Sequence, residues 1–387
     1  MGLGINGRRI FFLARSLDRG GAERQLTALA AGLVSRGHAV SVAVFYGGGV
    51  FEAELRTAGV RLIVLDKRGR WDLLPFFFRL LHILRRERPA VLHSYLTVPN
   101  LLAALCKPFL PGTRIVWGLR ASNMDLQRYD WLARLTAWLE ARFSRLADRV
   151  IANSQAGKLH AVGAGFREKS IEVVHNGIDT EHFCFDYEGR RQIRSAWGVD
   201  KDEILVGLVA RLDPMKDHLT FLEAASRIAY ERHDVRFVCV GDGPAAYAET
   251  LKQQAAALGL TSRLIWAGAR DDMPAVYSAL DIASSSSSFG EGFSNTIAEA
   301  MACGVPTVVT DVGDSAWIVG GAGVVVPHSD PDALTQGILN LMAMPAEQRR
   351  ALGGQARSRI VAEFGIDNLV QATERALGNL EISIRKC

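Results

Sequence analysis

Short apolar runs and helical stretches alternate along the whole chain. Residues 9–14 (Arg-Ile-Phe-Phe-Leu-Ala) follow a polar start and predict a buried strand. A helix follows from near Gly21. Its apolar face is Ala22, Leu26, Leu29 or Ala30, and Leu33, and it stops at Gly37. Apolar runs at 40–45, 61–65, 90–93, 114–117 and 149–152 predict further strands, with helical stretches between them, clearest over 73–86 and 131–146. Regular alternation of strand and helix predicts a parallel sheet covered by helices on both faces.

Residues 175–200 break this rhythm. His175-Asn176-Gly177-Ile178-Asp179 carries an Asn-Gly turn signal, and a polar segment follows to about Arg194, which predicts an interdomain linker. A second alternation then begins, with strands expected at 204–210, 236–240, 263–267, 281–284, 306–310 and 323–326. The expected division is a first domain over 1–185 and a second over 186–364. The last helix, about 365–387, is expected to pack back on the first domain.

Length supports this division, since 387 residues is long for one core and natural for two α/β domains. Cysteines at 106, 184, 239, 303 and 387 form no Cys-x-x-Cys pair and no zinc spacing, which suits a reduced, cytoplasmic setting. No signal-peptide pattern opens the sequence and no run of 18 apolar residues occurs, so no membrane span is expected. The net charge of +4 is unevenly spread. Residues 1–180 hold 26 Lys+Arg against 14 Asp+Glu, and the remainder 19 against 27. A basic first half meets either an anionic surface or acceptor, or simply solvent.

The chemistry concentrates in the second half. Glu291-Gly-Phe-Ser-Asn-Thr-Ile-Ala-Glu299-Ala-Met-Ala-Cys-Gly-Val-Pro306 follows an apolar strand and the run Ser284–Ser288. A helix is expected to start at Ser294 or Asn295, both good N-caps, and its first N–H groups would suit a phosphate. Glu299 falls one turn inside, where a carboxylate can accept from ribose hydroxyls; the alternative is an ordinary helix flanked by solvated carboxylates. In Gly207-Leu-Val-Ala-Arg211-Leu-Asp-Pro-Met-Lys216, a strand delivers Arg211 at its carboxyl end and Lys216 follows five residues later. Two cations on one loop suit a diphosphate and the charge that develops on it as it leaves. Val240-Gly241-Asp-Gly243-Pro244 and Gly268-Ala-Arg270-Asp-Asp-Met-Pro274 end two further strands. In the first half, Arg19-Gly20-Gly21-Ala22-Glu23-Arg24 joins strand to helix. It reads either as an anion pocket or as a tight turn with a capping carboxylate.

The stretch from Gly290 to Pro306 resembles the signature of retaining glycosyltransferases of family 4, which have the GT-B fold: two Rossmann-like, doubly wound domains facing across a cleft. By that resemblance Glu299 binds ribose, Glu291 contacts the donor sugar, and N–H groups around Phe293, Ser294 and Asn295 hold sugar or phosphate. Arg211 and Lys216 match the family's diphosphate clamp. Gly241 and Gly243 stand in its nucleotide loop, and the Arg270 loop borders the nucleobase through its main chain. Gly20, Gly21 and Glu23 match the loop that approaches the donor diphosphate and accommodates the acceptor. The resemblance is strongest over about 200–330 and clear at 19–26.

Two departures stand out. Many relatives carry a His where Ile115-Val-Trp-Gly-Leu-Arg120-Ala-Ser-Asn123 places Arg120, and a permanent cation cannot act as a base. Trp317 stands in a segment where relatives often have Glu. His93 either shapes the acceptor pocket or is a satisfied, half-buried histidine. Gly2-Leu-Gly4-Ile-Asn-Gly7 matches a dinucleotide fingerprint in spacing only, because it precedes its strand. No Walker A sequence, nucleophile elbow or hydrolase triad is visible. No carboxylate cage and no Asp-x-Asp in a strand-end loop is evident, so metal-independent chemistry without a cofactor is expected. Residues 66–88 mix bulky apolar residues with seven Lys+Arg against three Asp+Glu. They read as a core-facing helix with a solvated basic side, or as a face lying on an anionic membrane.

The resemblance implies a retaining transfer from a nucleoside diphosphate sugar, UDP- or GDP-linked, to a saccharide or lipid-linked saccharide. A bacterial polysaccharide or lipopolysaccharide pathway follows from family habit. Nucleic acid is not an expected partner. The rival readings are a nucleotide-sugar epimerase on the same fold and a non-catalytic nucleotide-sugar-binding protein.

Overall fold

A computed structural model describes residues 7–69, 71–120 and 131–382. The chain forms two compact units: residues up to Gly177 together with those from Ile366 onward, and Ile178–Gly365.

The first unit alternates strand and helix through β1 (Arg9–Ala14), α1 (Gly21–Ser35), β2 (Ala39–Val44), α2 (Glu52–Thr57), β3 (Arg61–Val64), α3 (Leu74–Glu87), β4 (Val91–Tyr95), α4 (Thr97–Cys106), β5 (Arg114–Leu119), α5 (Trp131–Phe143), β6 (Arg149–Ala152), α6 (Gln155–Gly163) and β7 (Ile171–Val173). Its sheet runs β3-β2-β1-β4-β5-β6-β7, with each of these pairs parallel. Alternate residues of β1 serve opposite faces. Ile10, Phe12 and Ala14 join one apolar cluster, and Phe11 and Leu13 join another. That is why the strand reads as a continuous apolar run. The three-residue β7, Ile-Glu-Val, gave no such run and was not anticipated.

The second unit begins with residues the sequence assigns partly to the first domain and partly to a linker. Ile178 and Phe183 bury in its core. The polar stretch beyond them is a helix, α7 (Tyr187–Ala196), which corrects the linker reading. Asp186 caps it by accepting from the Gly189 N–H at 2.8 Å. Its polarity is structural. Arg190 and Arg194 both reach Asp281, at 2.7 and 2.9 Å, and Arg194 also donates to the carbonyls of Asp200 and Glu203.

The alternation then resumes: β8 (Ile204–Val209), α8 (His218–Glu231), β9 (Val235–Val240), α9 (Ala245–Ala257), β10 (Leu264–Gly268), α10 (Met273–Ala279), β11 (Ile282–Ser285), α11 (Asn295–Ala302), β12 (Thr307–Thr310), α12 (Ser315–Val319), β13 (Val324–Val326), α13 (Pro331–Ala343) and α14 (Ala346–Glu363). The sheet order is β10-β9-β8-β11-β12-β13, again parallel throughout. Both sheets are therefore doubly wound and Rossmann-like. In the second, the order reverses between β8 and β11, where ligands of such sheets collect outside the strands' carboxyl ends.

The closing helix α15 (Ile366–Ile382) returns to the first unit and lies against α1. Leu369, Val370, Ala376 and Leu377 enter the same cluster as Phe12 and Leu26. Gly32 makes room for it, since a Cβ there would lie 2.5 Å from a Val370 methyl. Among the described residues no helix is long and apolar enough to cross a membrane.

Candidate functional site

The signature residues converge where β8 and β11 end side by side. The loop after β8 carries Arg211 and a 3-10 turn over Pro214–Lys216, started by Asp213, whose carboxylate accepts from the Met215 N–H at 3.1 Å. Arg211 pairs with Asp213 at 3.0 Å and its side chain stays 66% exposed. The serine run after β11 ties the two loops together. The Ser286 hydroxyl donates to the Lys216 carbonyl at 2.9 Å, and the Ser288 N–H to the Met215 carbonyl at 2.9 Å.

Lys216 and Glu291 form a buried ion pair. The Ser287 hydroxyl donates to the same Glu291 oxygen at 2.7 Å. Burial pushes the Glu291 carboxyl up. The Lys216 charge and hydrogen bond, the Ser287 hydroxyl and the Arg211 charge outweigh it, so the group sits below its ordinary value and is ionised. Its backbone is gripped from the loop after β12. Gly313 has φ +63°, and a Cβ there would stand 2.5 Å from the Glu291 carbonyl oxygen. The Asp314 N–H donates to the Gly292 carbonyl at 3.0 Å.

Ser294 occupies the N-cap position of α11, but its side chain makes no capping bond and instead meets the Thr296 hydroxyl at 3.3 Å. Phe293 is a core residue packed on Phe364, so only its main chain is available to a ligand. Glu299 is buried and accepts from the Tyr277 hydroxyl at 2.8 Å. Nothing in the sequence marked Tyr277, which sits in the short, apolar α10.

Gly241 and Gly243 owe their identity to a neighbouring loop. A Cβ at Gly241 would be 2.1 Å from the Ala210 carbonyl oxygen, and one at Gly243 2.2 Å from that of Leu212. The Leu212 N–H donates to the Asp242 carbonyl at 2.9 Å. These glycines therefore set the path of the Arg211 loop. Arg270 is held by Asp272 through two hydrogen bonds of 2.8 and 2.5 Å. Trp317 is more than half exposed, and its carbonyl accepts from Arg359 at 2.7 Å. Asp330-Pro331-Asp332, after β13, does have the Asp-x-Asp spacing that the sequence reading took to be missing from strand-end loops. Asp330 caps α13 and Asp332 pairs with Arg227, so the two carboxylates have structural duties.

In the first unit, Gly20 is the N-cap of α1 with extended backbone. A Glu23 carboxylate oxygen lies 2.0 Å from where a Gly20 Cβ would be, and Gly21 opens the helix. The turn thus holds a carboxylate folded back on its own N-terminus, in the manner of a capping box. Burial, opposed in part by a backbone hydrogen bond, raises the Glu23 carboxyl. His93 is wholly buried, not half-buried, and among the described residues neither ring nitrogen has a hydrogen-bond partner. It lies between Phe12 and Tyr95, at ring distances of 5.2 and 5.0 Å. Burial first, then the Arg120 charge, hold it neutral. Arg120 stacks over Tyr95 at 4.2 Å and donates to Asn176 at 3.4 Å. Asn123 lies outside the described residues.

Beside Arg120 is a cavity of about 490 Å³, lined among the described residues by Leu96, Leu119, Trp138 and Glu140. Glu140 is buried there and accepts from Thr97 and Asn100, each at 2.7 Å. Burial, partly offset by those two bonds, raises its carboxyl. A single Glu inside a helical stretch carried no sequence signal for this.

Comparison with known proteins identifies the family. Residues 19–182 match the model of Glycosyltransferase Family 4, and residues 203–344 that of Glycosyl transferases group 1. The lipopolysaccharide core biosynthesis mannosyltransferase LpsB of Rhizobium meliloti is 31% identical over 291 residues, 72% of this chain and 78% of that protein. The D-inositol 3-phosphate glycosyltransferase of Mycobacterium marinum is 30% identical over 254 residues, 62% of this chain. That match spans 53% of the mycobacterial protein, about half its length. Anabaena Alr3699/HepE, solved in complex with UDP-glucose, superposes with a TM-score of 0.84 at 24% identity, over 96% of this chain and 100% of that one. The fold is that of GT-B glycosyltransferases, and the chain belongs to glycosyltransferase family 4, among the glycosyl transferases of group 1.

Proposed function

We propose that the protein transfers a glycosyl group from a nucleoside diphosphate sugar to a hydroxyl of a saccharide or lipid-linked saccharide, with retention at the anomeric carbon. The observation that carries this reading is the meeting of Arg211, Lys216 and Glu291 at the switch point of one sheet, with Glu299 a turn into the helix that follows. Support comes from the relatives: LpsB is named a mannosyltransferase, and HepE was solved with UDP-glucose.

In this reading the bond between the anomeric carbon and the diphosphate oxygen breaks, and its electron pair leaves with the diphosphate. Arg211 and Lys216 neutralise that charge. The acceptor oxygen bonds to the anomeric carbon on the same face, and its proton passes to the departing phosphate. No protein base is required, which accommodates Arg120 where relatives have His. Glu291 orients the sugar while holding Lys216. Glu299, positioned by Tyr277, accepts from ribose. The amides around Ser294 and Asn295 offer donors to phosphate or sugar. We place the enzyme in the cytoplasm, a reducing setting that suits the free thiols of Cys106, Cys184, Cys239 and Cys303.

Calorimetric titration with UDP and, separately, GDP, both with EDTA present, tests the donor site. Binding of one is expected. Binding of neither, with or without magnesium, overturns the reading. Product analysis on donor sugar alone separates transfer from epimerisation, since an epimerase needs no acceptor.

A further inference from the structure

The helix α3 buries only part of its apolar residues. Phe76, Leu80, Leu81 and Leu84 are buried and fill the core. Beside them, Leu74 in the first turn is 70% exposed and Phe78 63% exposed, and Trp71, just before the helix, is 85% exposed. Those three residues contribute nothing to the core in exchange for their hydration cost. The aromatic surface continues inward. Phe78 meets Phe77 at 5.7 Å, and Phe77 meets Phe109, itself partly exposed, at 6.3 Å.

The same outward stripe becomes basic toward the end of the helix. Arg85 lies over the Phe109 ring at 5.8 Å. Arg85, Arg86 and Arg88 make no ion pair among the described residues, whereas Arg79 is taken up by Asp72 and Glu87 by Arg61. An apolar, aromatic tip flanked by uncompensated arginines is the composition of a surface that seats in a bilayer interface, with cations at the level of anionic headgroups. A protein partner would have to match this mixture residue by residue. An anionic bilayer matches it with acyl chains for the tip and phosphates for the arginines.

We infer that the outer face of α3, with Trp71 and Leu74 at its tip and Arg85 and Arg86 on its flank, docks the first unit on an anionic lipid bilayer. The inference stands apart from the donor chemistry. Its link to a lipid-linked acceptor rests on the proposed transferase reading.

The test is co-sedimentation of the full chain with vesicles of phosphatidylcholine alone and of phosphatidylcholine mixed with phosphatidylglycerol, without nucleotide, at low and raised salt. The expected result is binding to the mixed vesicles that weakens with salt. Trp71→Ser combined with Phe78→Ser should lower that affinity by about tenfold or more. Arg85→Ala with Arg86→Ala should lower binding to the mixed vesicles and leave the weak binding to neutral ones unchanged. Amide exchange of the wild-type segment 71–78 should slow when mixed vesicles are added, a reading that needs no variant. Absence of vesicle binding overturns the inference, as does unchanged binding or exchange. So does concentration-dependent self-association of the wild type that the Trp71/Phe78 variant abolishes. Because no donor is present, failure here leaves the nucleotide titration to decide the transferase reading separately.

Discussion

Lys216 and Glu291, 75 residues apart in sequence, share a buried ion pair at the carboxyl ends of β8 and β11. The pair links the two loops that the proposed chemistry needs, so its members should differ in what their loss does. Lys216→Ala strands a buried carboxylate and should cost about 3–5 kcal/mol of stability as well as activity. Lys216→Met with Glu291→Gln removes both charges, so it should restore most of the melting temperature and none of the turnover. Recovery of turnover in that double variant would show that the pair is only structural.

Arg211 should behave differently. Its guanidinium is largely exposed and, among the described residues, ion-paired only with Asp213 in its own loop. Arg211→Ala is expected to leave stability within about 0.5 kcal/mol of the parent. It should raise the barrier to transfer by about 2–4 kcal/mol, read from kcat/KM. Near-normal turnover would remove Arg211 from the clamp.

Tyr277 donates to Glu299 from a helix that no motif covers. Tyr277→Phe should weaken nucleotide binding by about tenfold, the worth of one hydrogen bond to a charged group. It should change kcat much less. Equal nucleotide affinities in the two proteins, measured by calorimetry, would mean that Glu299 is oriented by something else.

His218, the first residue of α8, is wholly buried, with neither ring nitrogen hydrogen-bonded among the described residues. Burial, aided by the Lys216 charge and opposed by Asp213, lowers its pKa to about 4. The unfolded chain therefore takes up a proton that the folded one refuses between about pH 6.5 and 4. Stability is at its full value above pH 6.5 and falls through that window, by about 3 kcal/mol in total. Glu291, whose folded pKa is depressed, adds a loss only below the ordinary carboxyl range. Urea midpoints measured across this range should fall less steeply for His218→Leu than for the wild type. Parallel slopes would assign the acid sensitivity to other groups, of which His93 is the first to test.

The parts of this protein visible in its sequence are those whose physics is local. The run at residues 9–14 is apolar on both sides because β1 feeds two clusters, and Glu291 to Pro306 lies on one strand-loop-helix passage. What escaped was set by partners far along the chain. α7 looked like a linker because the arginines that make it polar answer Asp281, some ninety residues away. The close approach that requires glycine at 241 and 243 is to the backbone of Ala210 and Leu212, which no local pattern shows. The apolar residues of 71–84 could not be divided between core and surface until the helix that sorts them was seen.

The return of α15 to the first unit bears on how the chain is made. Gln25 closes on the Gly177 main chain with two bonds of 2.8 Å, so the first unit ends firmly there, yet part of its core is 190 residues downstream. Ile178–Gly365, being continuous, is free to fold as soon as it has left the ribosome. The first unit, although synthesised earlier, must keep the α1 groove uncovered until the last helix emerges. The first unit is thus the later of the two to be completed, although most of it is synthesised first. A chain cut short of Leu369 would leave the α1 groove open, an apolar surface of the kind that marks a chain for degradation.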